Sequence, residues 1–323
     1  MKNTLLKNKL THDGWIRKNI GILLAIAAII SISSLISDSF FTVKNLANVS
    51  SQVSVPLLFA LGMALCLISG SIDLSVGTVC FCECLVFVVL SNSGLPVAVA
   101  AGITILLGAA VGLLMGFLIG VLGLAPFIVT LAVKFVAQGI VWVATDGGTA
   151  VVAKGDDFFA LATRKIGGSF PVFIIFYLIC IIICWFLLEK TKFGTNMIAA
   201  GSNKRAAEAS GINVSKTLTM VHTVTGCLVA VAAICLALRL RSASPRGNLS
   251  YEGDAIAAAV LGGVSFLGGR GTIGGAVLGA VFLALLSNMM NILGVTDYYQ
   301  LLLKGAVLIV SISLDAIMHR GDA

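Results

Sequence analysis

Long apolar segments separated by short polar ones run along the whole chain. An α-helix needs about 20 apolar residues to cross a bilayer, and most of these segments approach or exceed that length. Ten segments can be drawn, at residues 18–36, 52–70, 74–91, 95–122, 126–145, 171–188, 217–240, 254–267, 272–293 and 299–318. The eighth is too short to cross alone, which favours a half-helix or a re-entrant segment. The pattern predicts an all-α membrane protein of about ten transmembrane helices, with broken or short segments near 70–77 and 254–271.

Composition places most of the surface of the chain in lipid. Hydrophobic residues make up 59% of the 323 residues, charged residues make up only 11%, and the mean hydropathy is +1.07. Soluble domains contain about 25% charged residues, so a chain this apolar cannot cover a water-facing surface. Only two polar loops, 146–170 and 189–216, are long, and neither can fold as a soluble domain. We therefore expect a single transmembrane domain, 1–323, that depends on partners for any soluble machinery.

The positive charges indicate an orientation in the membrane rather than a nucleic-acid partner. The net charge of +7 is spread over short segments between the apolar runs and is not gathered on one soluble face. With the N-terminus inside, the inner segments hold twelve basic residues, which are Lys2, Lys7, Lys9, Arg17, Lys18, Lys190, Lys192, Lys204, Arg205, Lys216, Arg270 and Arg320. The outer loops hold six, which are Lys44, Lys154, Arg164, Lys165, Arg241 and Arg246. Because positive residues accumulate on the cytoplasmic side, this bias predicts that both termini are cytoplasmic, with 1–17 a cytoplasmic segment before a retained first helix.

The chain contains no complete motif for catalysis, nucleotide binding or metal binding. Residues 269–274 spell G-x-G-x-x-G but lack the preceding strand and the later acidic residue of a dinucleotide site, so they predict a tight cytoplasmic turn. Residues 210–217, SGINVSKT, end like a phosphate-binding loop, but serines stand where both glycines must be. The histidines His12, His222 and His319 are scattered, and the eight cysteines lie in apolar runs without C-x-x-C spacing. We expect no enzymatic activity, no cofactor and no metal.

Two series of glycines repeat at four-residue steps. They are Gly108, Gly112, Gly116 and Gly120, and then Gly271, Gly275 and Gly279. Four-residue steps place each series on one helix face, where the absence of side chains lets another backbone approach closely. Both series predict tight packing between helices, and a glycine-lined channel wall is the alternative.

Polar residues interrupt the apolar pattern within the membrane. One such stretch predicts a helix break, which a membrane protein tolerates where it lines a cavity, and its residues are Ser69, Gly70, Asp73, Ser75 and Gly77. Asp73 either stabilises the N-terminus of the next helix by its negative charge or acts in transport, and the sequence leaves both roles open. Glu83 and Lys134 are also charges within apolar segments, and they either pair with each other or face water.

The inner loop 189–216 contains the signals of a short helix. Asn203 can cap it with its side-chain oxygen, and residues 204–210 are mostly helix formers. Gly211 suits a left-handed stop at the C-terminal end. A two-turn helix is therefore predicted in the cytoplasm between two spanning helices, with an ordinary connecting loop as the alternative.

Three blocks of sequence resemble the permease subunits of sugar importers of the ATP-binding-cassette (ABC) type, the ribose family. The loop 189–216 carries the order of residues found in the coupling segment of that family, namely Phe193-Gly194, Gly201-Ser202-Asn203, Ala206-Ala207 and Ser210-Gly211-Ile212. The other blocks are GSIDLSVG at 70–77 and DAIAAAVLGGVS at 254–265, followed by GGRG at 268–271. The resemblance covers about residues 40–315. Lys204 and Arg205 depart from it, because the family often has acidic residues there.

The resemblance implies a protein of the bacterial inner membrane, surrounded by lipid, that forms part of a transport pathway. Two permease chains, identical or different, pair around the pathway, a cytoplasmic ABC ATPase grips the loop 189–216, and a periplasmic binding protein delivers the sugar. ATP is then hydrolysed on the separate ATPase, and the loop carries its motion into the membrane.

The same resemblance assigns the contact with the ATPase to the loop. The expected contact residues are Gly201, Asn203, Arg205, Ala206, Ala207, Glu208 and Gly211. In this interpretation Ala206 and Ala207 are small enough to enter a groove of the ATPase. Arg205 and Glu208 are three residues apart, so they share a helix face and could set the register by charge.

Two other functions remain compatible with the residues. An ion-coupled secondary transporter needs no ATPase, and Glu83 would then be a coupling site. A membrane scaffold that transports nothing would gain nothing from discontinuous helices. Within the ribose family the solute could also be a sugar-like molecule, such as a cyclic signalling furanose or a nucleoside. Permeases for branched-chain amino acids form a related family whose blocks match less well.

Overall fold

The chain folds into helices joined by short connections. The computed structural model describes residues 12–152, 155–244 and 251–318, and it describes side chains for the part of these ranges that lies within 19–313. The helices are α1 (His12–Ile36), α2 (Val43–Ile68), α3 (Val76–Asn92), α4 (Val97–Gly120), α5 (Pro126–Thr145), α6 (Asp156–Thr163), α7 (Ile174–Lys190), α8 (Lys192–Ser202), α9 (Lys204–Ala209), α10 (Val214–Leu240), α11 (Tyr251–Leu261), α12 (Ile273–Ile292) and α13 (Asp297–Met318). The strands, of two residues each, are β1 (Ala150–Val151), β2 (Lys165–Ile166), β3 (Phe170–Pro171) and β4 (Ser242–Ala243).

Six of the helices in the described ranges are long and apolar enough to cross a membrane. They are α1, α2, α4, α5, α10 and α12. Helices α7 and α8 together form a seventh candidate, bent by 71°, and α3 is a shorter apolar helix of 17 residues. The all-α membrane architecture predicted from the sequence is confirmed, whereas the count of about ten transmembrane helices is not.

The helices are interrupted at both places where the sequence predicts it. The first break, residues 69–75, separates α2 from α3, and the second break, residues 262–272, separates α11 from α12. Helix α11 has 11 residues, a length of roughly 16 Å at about 1.5 Å per residue. It is too short to cross a hydrocarbon core of about 30 Å alone. The eighth apolar segment is therefore a half-helix.

Helices α2 and α10 form the centre of the bundle. From Val53 onwards α2 is apolar around its circumference, and most of α10 is too, which is the pattern of a helix buried on every side. In α2 nearly every residue of 53–68 is buried, and in α10 buried residues occur on all faces. Helices α3, α4, α11 and α12 pack around this pair. Polar side chains that point inward from these helices consequently meet inside the bundle.

The first glycine series places α4 directly against α10. A Cβ atom at Gly108 would lie 2.5 Å from the carbonyl oxygen of Gly226, and one at Gly116 would lie 2.6 Å from that of Thr219. The other two members, Gly112 and Gly120, approach the backbone of α10 as closely. Thr219 Oγ1 also donates a hydrogen bond to the Gly116 carbonyl at 3.0 Å. The predicted tight packing is confirmed, because only glycine leaves room for these backbones to touch.

In the second glycine series, two of the three glycines pack a helix against another helix, and the first does not. Gly275 and Gly279 of α12 lie against the backbone of α11 and the residue after it, at Gly262 and Ala258. Gly271 lies in the second break, before α12 begins. The close helix packing predicted for this series is thus confirmed for two of its three glycines.

The ends of α10 define two ends of the bundle. Its first residue, Val214, lies at the end of the loop 189–216, and its last leads into β4, which pairs antiparallel with β1. Asn92 Nδ2 donates a hydrogen bond to the Val151 carbonyl at 2.9 Å, so α3 also ends beside this small sheet. The 27 residues of α10 separate the two ends by roughly 40 Å. We call them the loop end and the sheet end.

Some residues of the sequence analysis lie outside the described ones. For the segment 1–11 no structure is described, and for 12–18 only the backbone is. The basic residues affected are Lys2, Lys7, Lys9, Arg17, Lys18, Lys154, Arg246 and Arg320. The side chain of His12 and the whole of His319 fall outside as well.

Candidate coupling surface and polar centre

The loop 189–216 holds two short helices, α8 and α9. Thr191 Oγ1 accepts a hydrogen bond from the Gly194 amide at 3.4 Å and so caps α8. Asn203 Oδ1 accepts one from the Ala206 amide at 3.0 Å and caps α9, which has six residues. Gly211 has a φ of +82°. The cap at Asn203 and the left-handed stop at Gly211 are therefore confirmed, since both depend on neighbouring residues only.

Ala207 points into the chain itself, which corrects the expectation that it enters a groove of a partner. Its side chain is only 4% exposed and belongs to an apolar cluster with Met115, Val129 and Val214. A methyl group already buried between α4, α5 and α10 cannot also be received by another protein. Ala207 instead fastens α9 to the bundle.

The other predicted contact residues of α9 are on its free side. Asn203, Arg205, Ala206 and Glu208 are all exposed. Arg205 and Glu208 are three residues apart on this side, as predicted. Ala206 is consequently the small exposed residue of α9 that a partner can approach, next to Arg205.

Gly201 joins the loop 189–216 to both helix breaks. A Cβ atom there would meet the Ile68 carbonyl oxygen and would lie 2.7 Å from the Gly269 nitrogen. The Gly269 amide donates a hydrogen bond to the Ile68 carbonyl at 2.9 Å. Cβ atoms at Gly70 or Gly268 would approach the Gly201 backbone to 3.2 Å or 2.7 Å. We call Ile68, Gly70, Gly201, Gly268 and Gly269 the glycine junction. A displacement of α8 would reach both breaks there through direct backbone contact.

Side chains hold the first break. Asp73 is 1% exposed, and its Oδ1 accepts hydrogen bonds from the Ser75 amide at 2.8 Å and the Ser75 hydroxyl at 2.6 Å. Ser69 Oγ donates to the Cys66 carbonyl at 2.8 Å. Asp73 thus stands immediately before the first turn of α3. This geometry supports its role at the helix N-terminus, where a negative charge is stabilising.

His222 lies beside these side chains, although the three histidines are scattered along the sequence, and we call Ser71, Asp73, Ser75 and His222 the polar centre. It lies on α10 with no exposed surface, and its Nε2 is hydrogen-bonded with Ser71 Oγ at 2.8 Å. Its Nδ1 lies 3.9 Å from Asp73 Oδ2 and has no hydrogen-bond partner among the described residues. A polar ring inside the apolar segment 217–240 needs a partner within the membrane, and that is the signal that could have found it.

The first turn of α3 lies against the first turn of α11. A Cβ atom at Gly77 would lie 3.0 Å from a carboxylate oxygen of Glu252. Thr78 Oγ1 donates to Glu252 Oε1 at 3.5 Å. One turn further, the Phe81 ring stacks on Tyr251 with centroids 6.0 Å apart. The face of α3 that carries Gly77, Thr78 and Phe81 therefore packs against α11.

Glu83 and Lys134 do not pair, so that alternative is excluded. Lys134 Nζ lies 3.6 Å from Glu252 Oε1 instead. Glu83 points to another side of α3, where its Oε1 would lie 2.8 Å from a Cβ atom at Gly108 of α4. Both Glu83 carboxylate oxygens are buried, without a hydrogen-bond partner among the described residues. Glu252 lies outside the apolar segments, where a charged residue is ordinary, so the sequence gives no signal for this pair.

A second lysine meets the other acidic residue in the first turn of α11. Lys304 Nζ of α13 donates to Asp254 Oδ2 at 2.7 Å. Glu252 and Asp254 are two residues apart and so project to different sides of α11. Helix α11 is thereby held by one ion pair to α5 and by another to α13.

Within the described residues there is no group of three or more His, Cys, Asp or Glu side chains that could hold a metal ion. All eight cysteines are free thiols, and most are buried in apolar surroundings. The arrangement has three features that suit transport. They are an exposed surface of α9 at the loop end, the glycine junction, and charged groups inside the bundle.

Comparison with known proteins identifies relatives of this chain among transport permeases. Residues 45–312 match the family model described as "Branched-chain amino acid transport system / permease component". The ribose import permease protein of Bacillus subtilis is 37% identical over 310 residues, covering 96% of each chain. The ribose import permease protein of Escherichia coli K12 is 36% identical, over 91% of this chain and 92% of its own. The D-allose transport system permease protein of the same strain is 34% identical, over 93% and 92%. No solved structure matches the chain.

Proposed function

This chain belongs to the family of transport-system permease components that its residues 45–312 match, and we propose that it is the membrane-spanning subunit of an ABC importer that carries a sugar across the bacterial inner membrane. The relatives named above are a ribose import permease and an allose transport permease, aligned over nine-tenths or more of the chain. Because these relatives carry sugars by name, we favour a sugar over the amino acids in the description of the family.

The glycine junction is the observation that carries this proposal. Energy from a separate ATPase must enter through a surface at the loop end, and α9 presents Arg205, Ala206 and Glu208 there. Gly201, at the end of α8, touches the ends of both breaks without an intervening side chain. A push on α8 and α9 therefore reaches the polar centre through backbone contacts, which cannot absorb displacement by changing rotamer.

The partners follow from what the chain itself lacks. It has no complete phosphate-binding loop, so ATP binds to a separate cytoplasmic ABC ATPase. A second permease chain, identical or different, closes the pathway, since charges inside the membrane need to face protein or water rather than lipid. A periplasmic binding protein delivers the sugar at the sheet end. Two surface cavities lie at that end, of about 560 Å³ beside Asp156 and Asp157 and of about 390 Å³ beside Lys44 and Lys165.

We assign ten passes to the chain, with both termini in the cytoplasm. The distribution of Lys and Arg supports this orientation, because the basic loop 189–216 then lies inside. Single cysteines at 160 and 203, in a background without the eight native cysteines, distinguish the two orientations. Cysteine 160 should react with a membrane-impermeant reagent added to the periplasm, and cysteine 203 should not. The reverse result would invert the topology.

The decisive experiment replaces Ala206 by Trp in the reconstituted importer. A bulky ring on the free side of α9 should block the contact with the ATPase without disturbing the bundle. We expect Ala206→Trp to insert normally, to lose co-purification with the ATPase, and to lose at least tenfold of the uptake of labelled D-ribose or D-allose.

A matched control is Ala160→Trp, the same change at an exposed position of α6 on the sheet end. It should keep ATPase binding at the unmodified level. Ala207→Trp should instead reduce the amount of folded chain, because Ala207 is buried. If Ala206→Trp leaves ATPase binding and uptake unchanged, the coupling surface is wrong, and an ion-coupled transporter becomes the better interpretation.

A further inference from the structure

The two ion pairs on α11 differ in how closely their groups approach. The Lys304–Asp254 pair is short, with 2.7 Å between Nζ and Oδ2. The Lys134–Glu252 pair is longer, with 3.6 Å between Nζ and Oε1, and Thr78 reaches the same oxygen only at 3.5 Å. The first is a short hydrogen bond, whereas the second is, among the described residues, a longer contact that another molecule could replace.

Lys134 lies on the inward face of α5. The residues at its helical spacing, Thr130, Ala137 and Val141, are buried, and those on the opposite face, such as Phe135 and Val136, are more than 60% exposed. Lys134 is roughly 12 Å from the start of α5 and roughly 16 Å from its end, counting about 1.5 Å per residue. Its charge is therefore held near the middle of the membrane, on the side of α5 that is turned away from lipid.

The lysine is nevertheless partly open. The side chain of Lys134 is 22% exposed, whereas that of Glu252 is 7% exposed. A partly open ammonium group at this depth needs water, a polar solute or protein beside it, because lipid cannot solvate it. Helix α5 packs mainly on α3, so the ion pair links α5 to α11 beside that contact, and Lys134 is its more exposed member.

The groups around this ion pair suit a neutral solute that carries hydroxyl groups. A hydroxyl can accept a hydrogen bond from the lysine and donate one to the carboxylate, and the opposite charges of the pair cancel. The Tyr251 ring, stacked on Phe81 and 5.5 Å edge-on from Phe59, adds an aromatic wall at the same turn. Aromatic walls with a few placed polar groups are typical of small-molecule sites.

We infer that Lys134, Glu252, Thr78 and Tyr251 form a solute-binding site in the transport route, and that Lys304 and Asp254 are a structural strut on the far side of the same helix. This inference rests on the proposed function, since it names where the sugar passes. It predicts that the two ion pairs, although similar in composition, have separable effects on transport and on folding.

The test uses the complete importer in proteoliposomes, with its ATPase and its sugar-loaded binding protein, and labelled D-ribose and D-allose as probes. Lys134→Met and Glu252→Gln should keep the stimulation of ATP hydrolysis by the loaded binding protein. They should lower the sugar delivered per ATP hydrolysed by at least tenfold and change the ratio of ribose to allose uptake. Lys304→Met and Asp254→Asn should lower the yield of folded complex while leaving sugar per ATP unchanged in what remains.

A second measurement does not depend on how well the charge variants fold. With the eight native cysteines replaced, Thr78→Cys should react with a charged methanethiosulfonate reagent during turnover, and the loaded binding protein with excess sugar should slow that reaction. The matched control is Leu302→Cys on α13, where Leu302 is 71% exposed. The cysteine at this position should not react. Absence of reaction at position 78 would overturn the inference.

Equal losses of sugar per ATP from both ion pairs, or no loss from either, would also overturn it. Failure of the proposed function has a different signature. In that case the unmodified complex would show no ATPase stimulation and no uptake of either sugar.

Discussion

The two helix breaks begin in the same way and are then built by different means. Helix α2 ends with Gly70 at a φ of +76°, and the Ser71 amide donates to the Cys66 carbonyl at 2.9 Å. Helix α11 ends with Gly263 at a φ of +78°, and the Val264 amide donates to the Ala259 carbonyl at 3.0 Å. Both are the left-handed glycine stop that closes helices in general.

Beyond that stop the first break relies on polar side chains. Asp73, Ser71 and Ser75 are at most 5% exposed, and with His222 they supply partners inside the bundle. The second break relies on backbone freedom. Gly268, Gly269 and Gly271 all have positive φ values, and Thr272 accepts a hydrogen bond from the Gly275 amide at 3.1 Å to cap α12.

The difference follows from where the two breaks lie. Residues 71–75 rise into the bundle, where no water can satisfy an exposed backbone group, so side chains must do it. Residues 265–271 stay near the loop end, where a tight glycine turn is enough, with the Ser265 amide bonded to the Arg270 carbonyl at 3.0 Å. The first break is therefore specified by hydrogen bonds from polar side chains, and the second by glycines with positive φ.

The largest effect is expected where both breaks meet. In Gly201→Val, the new side chain would collide with the Ile68 carbonyl and the Gly269 nitrogen, neither of which can rotate away. We expect loss of most of the folded chain and of all uptake, measured by size-exclusion recovery and by transport. Gly102→Val is the control, because it makes the same change within a helix where the new Cβ meets nothing within 4 Å. Equal recovery of the two variants would show that the junction is loosely packed.

A smaller but selective effect is expected from Asp73. Asp73→Ala leaves the buried Ser75 amide without its acceptor, which should lower the free energy of unfolding by about 1–3 kcal/mol. Asp73→Asn keeps an acceptor oxygen at that place and should recover part of the loss. The thermal denaturation midpoint of the purified chain in detergent measures both. Identical midpoints for the two variants would remove the specific role given to the Asp73 oxygen.

The smallest losses of stability are expected from alanine at the two left-handed glycines that end α2 and α11. Gly263→Ala places a side chain in a left-handed residue with nothing within 4 Å, so it should cost only the conformational term of about 1–2 kcal/mol. Gly70→Ala should cost more, because its Cβ would lie 3.2 Å from the Gly201 Cα. Comparison of the two denaturation midpoints tests this order. A larger loss from Gly263→Ala would contradict the account of the junction.

Much of the fold and part of the site could be predicted from the sequence. The apolar segments determine that the helices lie in a membrane, and the turn residues determine where helices stop. The caps at Asn203 and Gly211, the glycine face of α4 and the two breaks are all properties of a few neighbouring residues. They survive in any arrangement of the helices, because capping bonds and helical spacing act over three to five positions.

Only the tertiary structure decided which side chains meet across helices. Lys134 pairs with Glu252 rather than with Glu83, His222 lies beside Ser71 and Asp73, and Ala207 is buried. The partners of Lys134 and His222 are separated by more than one hundred residues, so their meeting depends on how each helix is rotated about its axis. A single charge or polar ring in an apolar segment indicates that the side chain needs a partner. The rotation of each helix selects that partner. This rotation is set by the close packing of the whole bundle, which includes the glycine contacts between α4 and α10.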